Sequence, residues 1–154
     1  MMIAVATDHG GFPLKDSLLA VIRACGHEAL DLGAYSADPL DDYPDYSRVV
    51  GEAIQQGRAE RAVLMCGSGV GASVAANKMI GIRAAVCHDA YSAHQGVEHD
   101  NMNVLCLGAR VIGPELMVDL VRAYLGAQFT GEARHVRRLA KVDAIEKAEF
   151  TKQG

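Results

Sequence analysis

The amino-acid sequence predicts an α/β fold: a five-stranded parallel sheet between two layers of helices, with a further helix at the carboxyl end. Short apolar runs alternate with longer amphipathic stretches along the whole chain. Parallel neighbours need crossover connections, and this alternation supplies them. The chain has 154 residues, half of them hydrophobic and 22% charged, enough for one domain over residues 1–154 and too few for two.

The strands are expected at IAVA (3–6), EALDL (28–32), AVLMC (62–66), IRAAVC (82–87) and NVLCLG (103–108). Between the first two, Leu14, Leu18, Ile22 and Cys25 recur at helical spacing, and Gly26 follows as a stop. Residues 45–56, 71–79, 90–98 and 114–126 read as further helices, with Pro114 suited to an opening turn. A last helix over 133–148 would turn Val136, Leu139 and Ile145 inward. The segment ADPLDDYPDY (37–46) reads as the one long loop, and long loops in compact domains often serve function. There is no internal repeat, low-complexity tract or linker.

Composition excludes several classes. The formal net charge of −4 gives no footprint for nucleic acid. No apolar run approaches the roughly 20 residues that span a bilayer. The opening MMIAVATDHGG lacks the basic and apolar regions of a secretory signal, so a cytoplasmic protein without membrane attachment is expected. Cys25, Cys66, Cys87 and Cys106 form no C-x-x-C pair, which removes the usual zinc-knuckle and redox spacings. His88, His94 and His99 match no zinc signature either.

Parallel sheets bind ligands outside the carboxyl ends of their strands. That rule selects Asp8–His9, the 33–46 loop, Cys66–Gly71, His88–Asp89 and Gly108–Arg110. The turn CGSGVGAS (66–73) stands out, because Gly67, Gly69 and Gly71 let backbone amides approach a ligand. The helix after it adds partial positive charge, which favours an anion.

The turn supports two readings. It lacks the Lys-Ser/Thr ending of a P-loop but fits the looser G-x-G-x-x-A dinucleotide pattern, with Asp89 after the next strand. Alternatively, Cys66 at the strand end is a base, against the plainer possibility of a buried thiol that only packs there. A thiolate near a helix N-terminus can remove a carbon-bound proton beside a carbonyl, and neighbouring amides can hold the resulting enediolate.

Together CGSGVGASVAANK (66–78), DHGGFPLK (8–15), DYPDY (42–46), NVLCLGARVIG (103–113) and RHVRR (134–138) resemble the type B ribose-5-phosphate isomerase family. Its relatives include galactose-6-phosphate isomerase subunits and isomerases of other phosphorylated sugars. The resemblance runs from the first strand to the last helix. It implies a Rossmann-like domain, no cofactor and no metal. It also implies a homodimer whose active sites are shared between subunits, with a tetramer as the next assembly. Some members carry a glutamate at the position of Ala72 and lack the cysteine, so this chain resembles the thiol version.

By the same resemblance, Cys66 would shuttle the proton between C1 and C2 of a sugar phosphate. The backbone of Gly67, Gly69, Val70 and Gly71, with Ser68, would hold the enediolate. His99 would open the sugar ring, with Asp8 and Tyr43 near the sugar oxygens. His9, Arg110, Arg134 and Arg138 would bind the phosphate, whose geometry arginine forks match. Asp41, Asp42 and Asp45 would repel a phosphate, so their loop is expected over the sugar end. His27 and His135 carry no motif weight.

One position departs from the family pattern. Many members read His-Asn-Asp where this chain reads His99-Asp100-Asn101. A carboxylate only accepts hydrogen bonds, whereas an amide also donates. If residue 100 meets a sugar hydroxyl, Asp100 changes which sugar is preferred. The expected reaction is therefore the ribose 5-phosphate to ribulose 5-phosphate interconversion, with a tetrose or hexose phosphate isomerase as its neighbour. A nucleotide-binding module built on the glycine turn and Asp89 is the rival from another class.

Overall fold

Five strands, four of them mostly apolar, pair as an all-parallel sheet in the computed structural model, which describes residues 1–152. The strands are β1 (Met2–Thr7), β2 (Glu28–Asp31), β3 (Arg61–Cys66), β4 (Ala84–Val86) and β5 (Val104–Gly108), in the order β2-β1-β3-β5-β4. The register sets Thr7 beside Met65 and Cys66 beside Gly108. Three strand ends therefore meet at one edge. The winding direction reverses between β1 and β3, the crevice where α/β sheets take ligands.

Alternation along the strands sorts two cores. Ile3, Val5, Val63, Met65, Leu105 and Leu107 face α1 (Lys15–Ala24), α4 (Ala90–Asp100) and α5 (Pro114–Gly126). Ala4, Ala6, Ala62, Leu64, Cys66 and Cys106 face α2 (Tyr43–Gln55) and α3 (Val70–Ala76). The first face is lined by large residues and the second mostly by small ones, which lets α2 and α3 pack close to the sheet. Ile22 and Leu18 on α1 are fully buried, a contribution of roughly 1.5–3 kcal/mol each from removing their side chains from water.

The helices depart from the sequence expectation in three places. The supposed 37–46 loop ends early: Asp42 is the N-cap of α2 and Pro44 occupies its opening turn, so Tyr43 is helical. α3 stops at Ala76 rather than at 79, because the Asn77 side chain turns to the sheet edge. It donates to the Ala84 carbonyl and accepts from the Ala84 amide, both at 2.8 Å, in place of a sixth strand beside β4.

The third departure concerns α6 (Ala133–Thr151), whose predicted inner face does not pack inward. Val136 and Ile145 are exposed, Leu139 is half-buried, and His135 is the helix's one buried residue. Leu139, Val142 and Ile145 instead line an open cavity of about 790 Å³ bounded by Ile82, Arg83, Asp100 and Met102. The amphipathic pattern is real, but none of the described residues covers it.

Candidate active site

Cys66 ends β3, and the chain turns sharply at Gly69, which holds φ +81, before α3 begins. A side chain is disfavoured in that left-handed conformation. The Gly69 amide donates to Cys66 Sγ at 3.1 Å, and the Val70 amide donates to Ser68 Oγ at 3.3 Å. Two of the turn's amides are thus aimed at the turn's own side chains.

The neighbouring strand ends complete a cavity of about 310 Å³ lined by Asp8, Tyr43, Cys66, Gly67, Ser68, Gly71, Arg110 and Val111. Asp8 follows β1 and is buried, its Oδ1 accepting from the Gly10 and Gly11 amides at 2.8 and 3.1 Å. Arg110 follows β5 and lies along Gly67, while its own amide donates to the Gly67 carbonyl at 3.0 Å. Tyr43 lies on Gly71 so closely that a methyl group at position 71 would stand 2.7 Å from Tyr43 Cζ.

His9 follows Asp8 in the chain but does not itself line this cavity. Its Nδ1 lies 2.6 Å from Asp41 Oδ1, which also accepts from the His9 amide at 3.0 Å. The Tyr46 hydroxyl donates to the other Asp41 oxygen at 3.1 Å. The Asp41 contact holds the His9 imidazole above its usual pKa. Burial opposes ionisation of Asp41, yet its hydrogen bonds from His9 and Tyr46 win and hold it below the usual carboxylate range. Burial and the same contact push Tyr46 to about 12.

This corrects the picture of three repelling aspartates. Asp41 is spent on His9, while Asp42 and Asp45 point to solvent at the start of α2. Among the described residues, Asp8, His9 and Asp41 are the one group that brings candidate metal ligands within 4.8 Å of one another. Asp8 Oδ1 and both Asp41 oxygens are already engaged by amides, an imidazole and a phenol.

The other expected residues gather elsewhere. His99, on the last turn of α4, stacks on His135 of α6 with ring centroids 4.0 Å apart, and its Nδ1 meets Gln95 Nε2 at 2.7 Å. His135 Nδ1 pairs with Thr130 Oγ1 at 2.7 Å, and its buried Nε2 has no partner among the described residues. Burial first, then His99 and the nearby arginines, hold His135 below its usual pKa. Arg134 and Arg138 are exposed on the same helix, with Arg134 Nε 3.0 Å from Glu132 Oε2. Asp100 lines the larger cavity, not the one at Cys66. Asn101 takes the left-handed cap position of α4 at φ +49, which asparagine tolerates better than most residues.

Several other residues have structural occupations. Asp89 caps α4 by accepting from the Ser92 amide at 2.7 Å, which accounts for the carboxylate of the nucleotide reading. His88 Nε2 accepts from the Gly108 amide at 3.0 Å. Cys106 is sealed between strands, and burial pushes the Cys87 thiol up to about 11. Sequence patterns point to no contact of His135 with His99 and none of Asp41 with His9 or Tyr46. His135 had one signal, its place inside RHVRR; Asp41 had only its adjacency to DYPDY.

These features define a class: a parallel α/β protein with a cysteine-bearing glycine turn and a cavity at the carboxyl edge of its sheet. The ribose/galactose isomerase family model matches residues 3–142. Ribose-5-phosphate isomerase B of Escherichia coli is 44% identical over 144 residues, covering 94% of this chain and 95% of that protein. D-erythrulose-4-phosphate isomerase of Pectobacterium atrosepticum is 40% identical over 134 residues, covering 85% of this chain and 86% of that one. Ribose-5-phosphate isomerase B of Clostridium thermocellum superposes with a TM-score of 0.92 at 42% identity, covering 97% and 99% of the two chains. The chain belongs to the ribose/galactose isomerase family. It is an isomerase, and among its described residues no helix is long and apolar enough to cross a membrane.

Proposed function

We propose that this protein interconverts ribose 5-phosphate and ribulose 5-phosphate, as a homodimer, through an enediolate. The carrying observation is that Cys66, Ser68, Asp8, Tyr43 and Arg110 line one cavity at the end of β3. Relatives named for ribose 5-phosphate at up to 44% identity support the substrate.

In this reading His99 opens the ring by moving a proton from the anomeric hydroxyl to the ring oxygen. Cys66, as thiolate, takes the hydrogen from C2, and the C–H electron pair forms the C1=C2 bond of the enediolate. The thiol returns that proton to C1. The proton leaving the C2 hydroxyl goes to the C1 oxygen, and the carbonyl is regenerated at C2. Ser68 and the amides of the glycine turn left unspent by Cys66 and Ser68 would hold the negative oxygen. His9 and Arg110 would take the phosphate, joined by Arg134 and Arg138.

Two features support a shared site. His99, Arg134 and Arg138 line no part of the Cys66 cavity of their own chain. They border an α6 face whose Val142 and Ile145 are 51% and 66% exposed, and apolar patches of that kind are normally covered in assemblies. A second copy seated there would bring His99, Arg134 and Arg138 to the first copy's cysteine.

The test is kcat/KM across phosphorylated sugars of four, five and six carbons. A five-carbon preference is expected. A four-carbon preference would place this chain with the erythrulose-4-phosphate relatives and overturn the named substrate.

A further inference from the structure

His9 and Asp41 come from distant parts of the chain, the turn after β1 and the loop before α2. They are nonetheless joined twice: through the His9 amide at 3.0 Å and through Nδ1 at 2.6 Å, both to one carboxylate oxygen. The second oxygen is held by Tyr46 of α2, so the carboxylate has little freedom to rotate. Its side chain is 11% exposed, whereas that of His9 is 33% exposed. With Nδ1 committed, Nε2 is the one ring nitrogen available to a ligand. Among the described residues it has no hydrogen-bond partner.

We propose that Asp41 is a positioning residue that grips His9 by Nδ1 and dedicates its Nε2 to the anionic end of the substrate. This deepens the isomerase reading and rests on it for the identity of the anion.

The chemistry follows from tautomers. A neutral imidazole that donates through Nδ1 to Asp41 carries a lone pair on Nε2, which repels a phosphate oxygen. Only the imidazolium donates from both nitrogens. Asp41 favours that form, and so does Asp8; Arg110 opposes it. The raised pKa keeps the cation present to higher pH than an ordinary histidine would allow. Anion affinity is therefore full below the His9 midpoint and falls as pH rises through it. With Asn at position 41 the amide oxygen still accepts from Nδ1, but the charge is gone, and that fall moves to lower pH.

The experiment is an NMR titration of the His9 ring in the intact wild-type protein and in Asp41→Asn, with and without sulfate. Sulfate keeps two charges across the titration range. The His9 signal is assigned by its loss in His9→Asn. The wild-type midpoint is expected above the ordinary 6.5 and higher again with sulfate; in Asp41→Asn it falls. A wild-type midpoint at or below 6.5, no response to sulfate, or an unchanged midpoint in the variant would each overturn the proposal. The wild-type arms need no variant to fold.

In parallel, KM for ribose 5-phosphate at pH 8 should rise by roughly three- to tenfold in Asp41→Asn, with kcat within about twofold, because less of the imidazolium remains at that pH. A drop confined to kcat would contradict an anion-end role. Wild-type protein that isomerises no phosphorylated sugar, yet shows the sulfate-linked His9 titration, would sink the isomerase reading alone. Active wild-type enzyme with a sulfate-insensitive His9 would sink this inference alone.

Discussion

The carboxyl edge of the sheet and the α4–α6 shoulder are built on opposite principles. At the sheet edge, Asp8 accepts from two backbone amides, Cys66 from one, and Asp41 from His9 and Tyr46, and the cavity that Asp8 and Cys66 line is formed within one chain. At the shoulder, His99 and His135 stack well, but Arg134 and Arg138 project into solvent beside a groove whose apolar wall is uncovered. The difference shows which half of the proposed chemistry a single copy can assemble. In the proposed mechanism, proton abstraction would use groups that one chain brings to a single cavity. Ring opening and half of the proposed phosphate grip would use His99, Arg134 and Arg138, which line no part of that cavity.

The sharpest way to break the comparison is at the edge. Cys66→Ala should lower kcat by roughly 10²–10⁴, the range for losing a positioned base, with KM little changed. Steady-state kinetics on ribose 5-phosphate decide this, and near-wild-type turnover would remove the thiol from the mechanism. At the shoulder, Arg138→Ala should weaken binding of ribose 5-phosphate by about 1.5–3 kcal/mol, the scale of a charged hydrogen bond. Calorimetric titration reads the loss; an unchanged affinity would return Arg138 to the role of a solvated surface residue.

The third prediction joins the two regions and has the smallest amplitude. Cys66→Ala and His99→Asn proteins, each nearly inactive alone, are co-expressed so that copies pair at random. About half the dimers are then mixed, and each holds one site with both residues intact, so activity should recover to about a quarter of wild type. If the mixture shows only the sum of its parents, each site lies within a single chain.

The unequal legibility of the two regions has physical causes. The edge was readable because strand ends and glycine turns are local patterns: β3 stops at Cys66 as its apolar run stops, and the turn residues announce themselves. The Asp41–His9 pair was not readable, since nothing local links position 9 to position 41. The same limitation turned three aspartates into an expected repulsive cluster, when one is paired with His9 and two face water. On α6 the helical period was read correctly, but period alone does not say whether an apolar stripe meets its own core or an outside surface. Val136 and Ile145 are exposed rather than packed on the core of their own chain.

Residue order by itself determined the alternation of strands and helices, the parallel sheet, and the cysteine placed before a glycine-rich turn. Those depend on side-chain periodicity and backbone freedom, which are properties of neighbours in the chain. Only the tertiary structure decided that β1 and β3 lie side by side, that Asp41 reaches His9, and that His99 stands apart from Cys66. Each of those depends on which distant surfaces exclude water together, and no short segment carries that information.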